Sequence, residues 1–150
     1  MMQSATRALL ILLLCTATGA LAAEPRSYVR PSHPAEGGYP FSGAVQIGDT
    51  LYLSGDIGID DNQQVPADPK DEARLLLDSI QNTLNEAGFS MDDLVTVTVY
   101  CSDVKYYADF NEVYRGYFKE NFPARAFIGA GTLLFDARFE LQGIAVRRSD

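Results

Sequence analysis

Hydrophobic and polar positions along the chain change period several times, and each change marks an element. Residues 41–47 and 51–57 are short apolar-rich runs joined by Gly48-Asp49, a pair suited to a tight turn, and they predict an antiparallel hairpin. Gly55 within the second run and Gly58 directly after it predict a bulge or a close approach to the backbone. Asp68-Pro69 then supplies a cap and a first-turn proline. Ala73, Leu76, Leu77, Ile80, Leu84 and Ala87 follow at helical spacing, and Gly88 ends the pattern. Lys70, Asp71, Arg74, Asp78, Gln81 and Asn85 occupy the other side, so this helix offers one apolar face to one sheet.

Residues 94–101 alternate Val95, Val97 and Val99 with Thr96, Thr98 and Tyr100, the clearest strand signal in the chain. A second helix is expected over 106–118, with Tyr107, Phe110, Val113, Tyr114 and Tyr117 as an aromatic stripe read as core packing. Residues 127–130 and 138–146 complete the set as strands. The order strand, strand, helix, strand, helix, strand, strand predicts an α+β fold with both helices on one face of a sheet.

The beginning of the chain follows other rules. Arg7, the run Ala8-Leu9-Leu10-Ile11-Leu12-Leu13-Leu14 and the small residues Ala20-Leu21-Ala22-Ala23 form a basic start, a short apolar stretch and a cut site. Residues 1–23 are therefore expected to be a cleavable signal peptide, cut after Ala22 or Ala23. The mature protein is then periplasmic or secreted, and the membrane matters only for export. Residues 24–40, with Pro25, Pro31, Pro34 and Gly37-Gly38, read as an extended arm before a domain at 41–150.

Composition narrows the chemistry. A net charge of −8 speaks against a nucleic-acid partner, because phosphate binding needs clustered Lys and Arg; the one adjacent basic pair is Arg147-Arg148, at a terminus expected to be solvated. Cleavage leaves one cysteine, Cys101, at the end of an apolar strand and expected to be buried. The single histidine, His33, lies in the arm, which removes zinc sites and His-based triads from the domain. Asp56, Asp60, Asp61 and Asn62 lack the spacing of a calcium loop and read as a solvated turn. What remains is one charge in each of two late strands. Arg125 follows Pro123-Ala124 and precedes Ala126-Phe127, and its guanidinium needs an anion in a sheltered place: Glu140, a ligand, or both.

Five segments, in order and spacing, resemble the Rid (YjgF) family of reactive-intermediate deaminases. They are Ser54-Gly55-Asp56-Ile57; Val95 to Tyr100 with Ser102-Asp103; Asp109-Phe110-Asn111-Glu112-Val113-Tyr114; Phe122-Pro123-Ala124-Arg125-Ala126; and Glu140-Leu141-Gln142-Gly143-Ile144-Ala145-Val146. The resemblance implies a chorismate-mutase-like α+β fold, a homotrimer with ligand sites between subunits, and hydrolysis of 2-imino acids to 2-keto acids and ammonia with no metal or organic cofactor. It also implies that Arg125 holds the substrate carboxylate, that Glu140 acts on water, and that Asn111 and the Gly55 backbone face the ligand. Phe41 and Phe127 stand at further site positions. Phe41 replaces a common tyrosine, with Tyr39 nearby as a substitute; Asp56 replaces glutamine, Phe127 a cysteine or serine, and Gln142 a glutamate. Two other readings use the same residues: a small-carboxylate binding module without turnover, and an RNA-cleaving protein, which the acidic charge disfavours.

Overall fold

The computed structural model describes residues 24–31 and 38–148. Residues 1–23 and His33, which carry the export signal and the linker histidine of the sequence reading, lie outside the described residues. Six strands form one sheet: β1 (Arg26–Val29), β2 (Ala44–Ile47), β3 (Thr50–Ile57), β4 (Leu94–Cys101), β5 (Ala124–Gly129) and β6 (Phe139–Val146). Two helices accompany them, α1 (Pro69–Glu86) and α2 (Tyr107–Tyr114). The sheet order is β1-β2-β3-β6-β4-β5. Neighbours are antiparallel except β4 and β5, which α2 connects in the manner of a parallel crossover.

Three differences from the sequence reading have physical reasons. Strand β1 lies within the stretch read as an extended arm. Three of its four side chains are exposed, so it carries no alternation to read, and its place comes from backbone pairing with β2. The second helix is shorter than 106–118: tight turns at Val104–Tyr106 and Arg115–Tyr117 flank α2, and Gly116 sits in the latter. Arg147 is not simply solvated. Its guanidinium lies 4.5 Å from the Phe89 ring centroid and donates to the Gly88 carbonyl at 3.0 Å.

Both helices cover one face of the sheet. Leu51, Leu53, Val97, Val99, Cys101, Phe139, Leu141 and Ala145 meet Leu76, Leu77, Ile80 and Leu84 of α1 and Phe110 and Tyr114 of α2 in one buried cluster. Burying each large member contributes about 1.5–3 kcal/mol. The Asp68 carboxylate caps α1 by accepting from the Lys70 amide at 2.7 Å, and Gly88 takes a left-handed φ of +76° where α1 ends. One charge enters this core. Glu72 on α1 is fully buried, and its carboxylate accepts from the Arg138 and Phe139 amides at 2.6 and 3.0 Å and from Arg138 Nη1 at 2.7 Å. It thereby pins the start of β6 to α1. The opposite face of the sheet is not covered by any described element, and Tyr52 and Ile128 stand 47 and 43% exposed.

Candidate active site

Register decides which predicted residues meet. Along β4, Val97 is the partner of Arg125 and Tyr100 the partner of Glu140. Positions three apart on a strand face opposite ways, so Arg125 points to the helical face and Glu140 to the open one. Arg125 accordingly makes its hydrogen bond to Asn111 of α2, Nη2 to Oδ1 at 2.6 Å, and not to Glu140. Of the partners left open for Arg125, an intrachain pair with Glu140 is thereby ruled out among the described residues.

Glu140 sits with Gly55 and Phe41. Pairing of β3 with β6 shifts register between Leu53 and Asp56, the bulge expected from the glycines. Gly55 lies in it, and a Cβ there would overlap Glu140 Oε1, so the missing side chain is what gives the carboxylate its place. The same residues wall a cavity of about 130 Å³ together with Tyr39, Phe41, Leu53, Ser54, Asp56, Ile57, Ile59, Ile80 and Phe135. Phe41 packs against Tyr39 with the rings tilted by 33° and their centroids 4.8 Å apart, which brings a phenol beside the position where Phe41 lacks one. Partial burial, then the negative charge of Asp56, hold the Glu140 carboxyl above the ordinary glutamate range. Asp56 is itself engaged, accepting from Ser79 Oγ at 2.5 Å and the Ile57 amide at 2.9 Å.

Arg125 and Phe127 form the other group, on β5 at the edge of the sheet. The guanidinium carbon lies 4.7 Å from the Tyr114 ring centroid and 5.8, 5.9 and 5.8 Å from those of Tyr107, Phe110 and Phe127. Rings and amide together orient the fork. The Phe127 side chain packs on Phe110 and Tyr107, with centroids 5.7 and 4.9 Å apart, and does not line the cavity beside Glu140. Tyr107 is a site residue that the stripe reading concealed. It is exposed, one turn before Asn111, and a hydrogen bond with Asn111 followed by the charge of Arg125 lowers its phenol from the usual range. Its i, i+4 spacing to Asn111 was the available signal. Burial pushes the neighbouring Tyr114 phenol up to about 12, Arg125 opposing, and its hydroxyl has no hydrogen-bond partner among the described residues. Cys101 is buried, donates to the Asp103 carbonyl at 3.1 Å, and belongs to neither group.

Comparison with known proteins gives this arrangement its context. A family model described as Endoribonuclease L-PSP matches residues 32–147. The YjgF gene product of Escherichia coli superposes with a TM-score of 0.73 at 32% identity, over 81% of this chain and 98% of that one. The chain belongs to the Rid (YjgF) family. Among relatives in the Rid family, a RutC family protein of Sulfurisphaera tokodaii is 40% identical over 104 residues, 68% of this chain and 83% of that protein. The 2-iminobutanoate/2-iminopropanoate deaminase of Mus musculus is 36% identical over 110 residues, 72% of this chain and 82% of that protein. Escherichia coli TdcF, solved with bound serine, has a TM-score of 0.73 at 30% identity, over 81% of this chain and 98% of that one. The α+β fold with two helices on one face of the sheet is that of these Rid structures.

Proposed function

We propose that this chain is an imine deaminase that hydrolyses 2-imino or enamine acids to 2-keto acids and ammonia, assembled as a homotrimer in which Arg125 of one copy faces Glu140 of the next. The observation that carries the proposal is the division of the two charges between opposite faces of one sheet. One copy presents an oriented guanidinium at an unpaired edge and a half-buried carboxylate at a cavity, and neither serves the other. Family membership and a relative named as a 2-iminobutanoate/2-iminopropanoate deaminase support the choice of reaction.

The chemistry asks little more. Arg125 takes the substrate carboxylate through two parallel hydrogen bonds, with Asn111 holding the fork. Water adds to the imine carbon and gives a proton to Glu140. With the substrate nitrogen protonated as the iminium, Glu140 returns that proton to the carbinolamine nitrogen, the C–N bond breaks to release ammonia, and the hydroxyl proton passes to Glu140 as the carbonyl forms. Backbone groups at Gly55 and Phe127 are placed in the reading as contacts to the nitrogen or the water. No cofactor enters the balance. Residues 1–23 are proposed to direct export, with cleavage near Ala22 or Ala23, and among the described residues no helix is long and apolar enough to cross a membrane. The mass of the protein recovered after expression with its leader tests that part.

The activity test follows keto-acid release from freshly generated 2-iminobutanoate. The wild type accelerates it, and Arg125→Ala lowers kcat/KM by about 10²-fold or more as positioning is lost. Equal rates with and without the guanidinium refute the proposal. A second reading, a carboxylate-binding module, draws on the relative solved with bound serine and on Phe41 in place of a phenol. It is selected if 2-oxobutanoate binds saturably, Arg125→Ala abolishes that binding, and no imine is hydrolysed.

A further inference from the structure

The cavity that holds Glu140 carries a statement about substrate that the family assignment does not. Apart from Glu140 and Asp56, its wall is made largely of Phe41, Leu53, Ile57, Ile59, Ile80 and Phe135. Such a wall gives a small methyl or ethyl substituent little to touch. The volume, about 130 Å³, is close to that of apolar protein cavities of about 150 Å³ that stay dry and take up benzene. The space is thus of the size of one isobutyl or benzyl group.

Its rim is held at a cost. Phe135 and Asp136 are consecutive non-glycine residues with φ of 57° and 56°, a left-handed backbone that an aspartate visits more readily than a phenylalanine. Phe135 remains 52% exposed although it reaches the cavity, and Leu134 beside it is 71% exposed. Strain spent to keep two large apolar side chains half in water is the arrangement of a wall awaiting an apolar group.

We infer that this cavity is the side-chain subsite of the deaminase, and that Phe135 with Phe41 selects 2-imino acids bearing branched or aromatic side chains over 2-iminopropanoate. The inference rests on the deaminase reading above. Glu140 in the same wall places the attacked carbon at the mouth, so the substituent on that carbon enters while the carboxylate turns toward Arg125 of the neighbouring copy.

The experiment generates imines in situ from alanine, leucine and phenylalanine with an L-amino-acid oxidase and compares kcat/KM for keto-acid release by the purified protein. The leucine- and phenylalanine-derived imines are expected to exceed the alanine-derived one by about tenfold or more, the lower end of what added methylenes gain in an apolar pocket. Phe135→Ala, at an exposed position, is expected to lower the ratio of the phenylalanine- to the alanine-derived value by about tenfold. Hydrolysis that depends on Glu140 but treats all three imines alike overturns the inference and leaves the deaminase reading standing; a side chain of a neighbouring copy filling the cavity gives that result. Should no imine be hydrolysed, the deaminase reading fails, and calorimetry with the 2-oxo acids decides the subsite. Binding of 2-oxo-3-phenylpropanoate about tenfold tighter than 2-oxopropanoate then supports it, and equal binding overturns it.

Discussion

Glu140 and Gly55 illustrate how one atom's absence shapes chemistry. Because a Cβ at position 55 would overlap Glu140 Oε1, Gly55→Ala displaces a flexible carboxylate without disturbing the core. The expected result is a fall of about 10²-fold in kcat with little change in Tm, read by steady-state kinetics and thermal melting. Glu140→Gln is expected to lose about 10²–10⁴-fold in rate as the proton acceptor disappears. Its effect on stability has the opposite sense. Burial raises the folded-state carboxyl above its unfolded value, so the native chain keeps the proton to higher pH and stability falls as pH rises between the two values. Glutamine removes that fall. The variant therefore melts above the wild type at about pH 8, and the difference closes near pH 4. A lower Tm for Glu140→Gln at alkaline pH counts against the burial assigned to this carboxylate.

Among the elements, β6 depends on a single buried charge. Glu72 of α1 binds two amides at the entrance of β6 and the guanidinium of Arg138, which in turn donates to the Pro66 and Ala67 carbonyls at 2.8 and 2.9 Å. Removing one partner of such a buried pair leaves the rest unpaired. Glu72→Ala is expected to cost about 3–5 kcal/mol, measured by urea unfolding, while Glu72→Met with Arg138→Met is expected to recover much of it. Nothing in the local pattern announced this role. Glu72 lies in the first turn of an amphipathic helix, where a carboxylate is ordinarily a solvated complement to the helix dipole. Strand β1 was equally silent, since exposure on three of four positions erases the period that marks a strand.

For the whole molecule, the sheet face and the β5 edge that no other described element covers are the features on which the proposed assembly of copies rests. An edge strand with free backbone groups invites a partner, and Ile128 on β5 supplies exposed apolar surface there. If each site takes Arg125 from one copy and Glu140 from another, two inactive variants complement. Refolding Arg125→Ala with Glu140→Gln as an equal mixture is expected to restore about a quarter of the wild-type sites, by random assortment in a closed symmetric ring. Native mass spectrometry, which resolves the two variant subunits by side-chain mass, checks that mixed trimers form. A mixture that assembles yet stays inactive shows that the two residues act within one copy or not at all.

Local pattern determined most of the architecture. The 68–88 stretch announced its cap, its apolar face and its end, the valine alternation of 94–101 announced β4, and Gly48-Asp49 announced the hairpin, because each signal lies within one turn or one strand of chain. The sequence also singled out Arg125 and Glu140 as charges in apolar strands, and the family resemblance added Asn111 and Gly55. Which of them meet was decided only in three dimensions. A strand's side chains alternate faces, and the register that sets the face of Arg125 and Glu140 comes from β4, which pairs with both of their strands yet lies far from each in sequence. The aromatic surround of Arg125, the burial of Glu72 and the cavity behind Glu140 likewise arise from packing between distant segments, for which no short-range pattern exists.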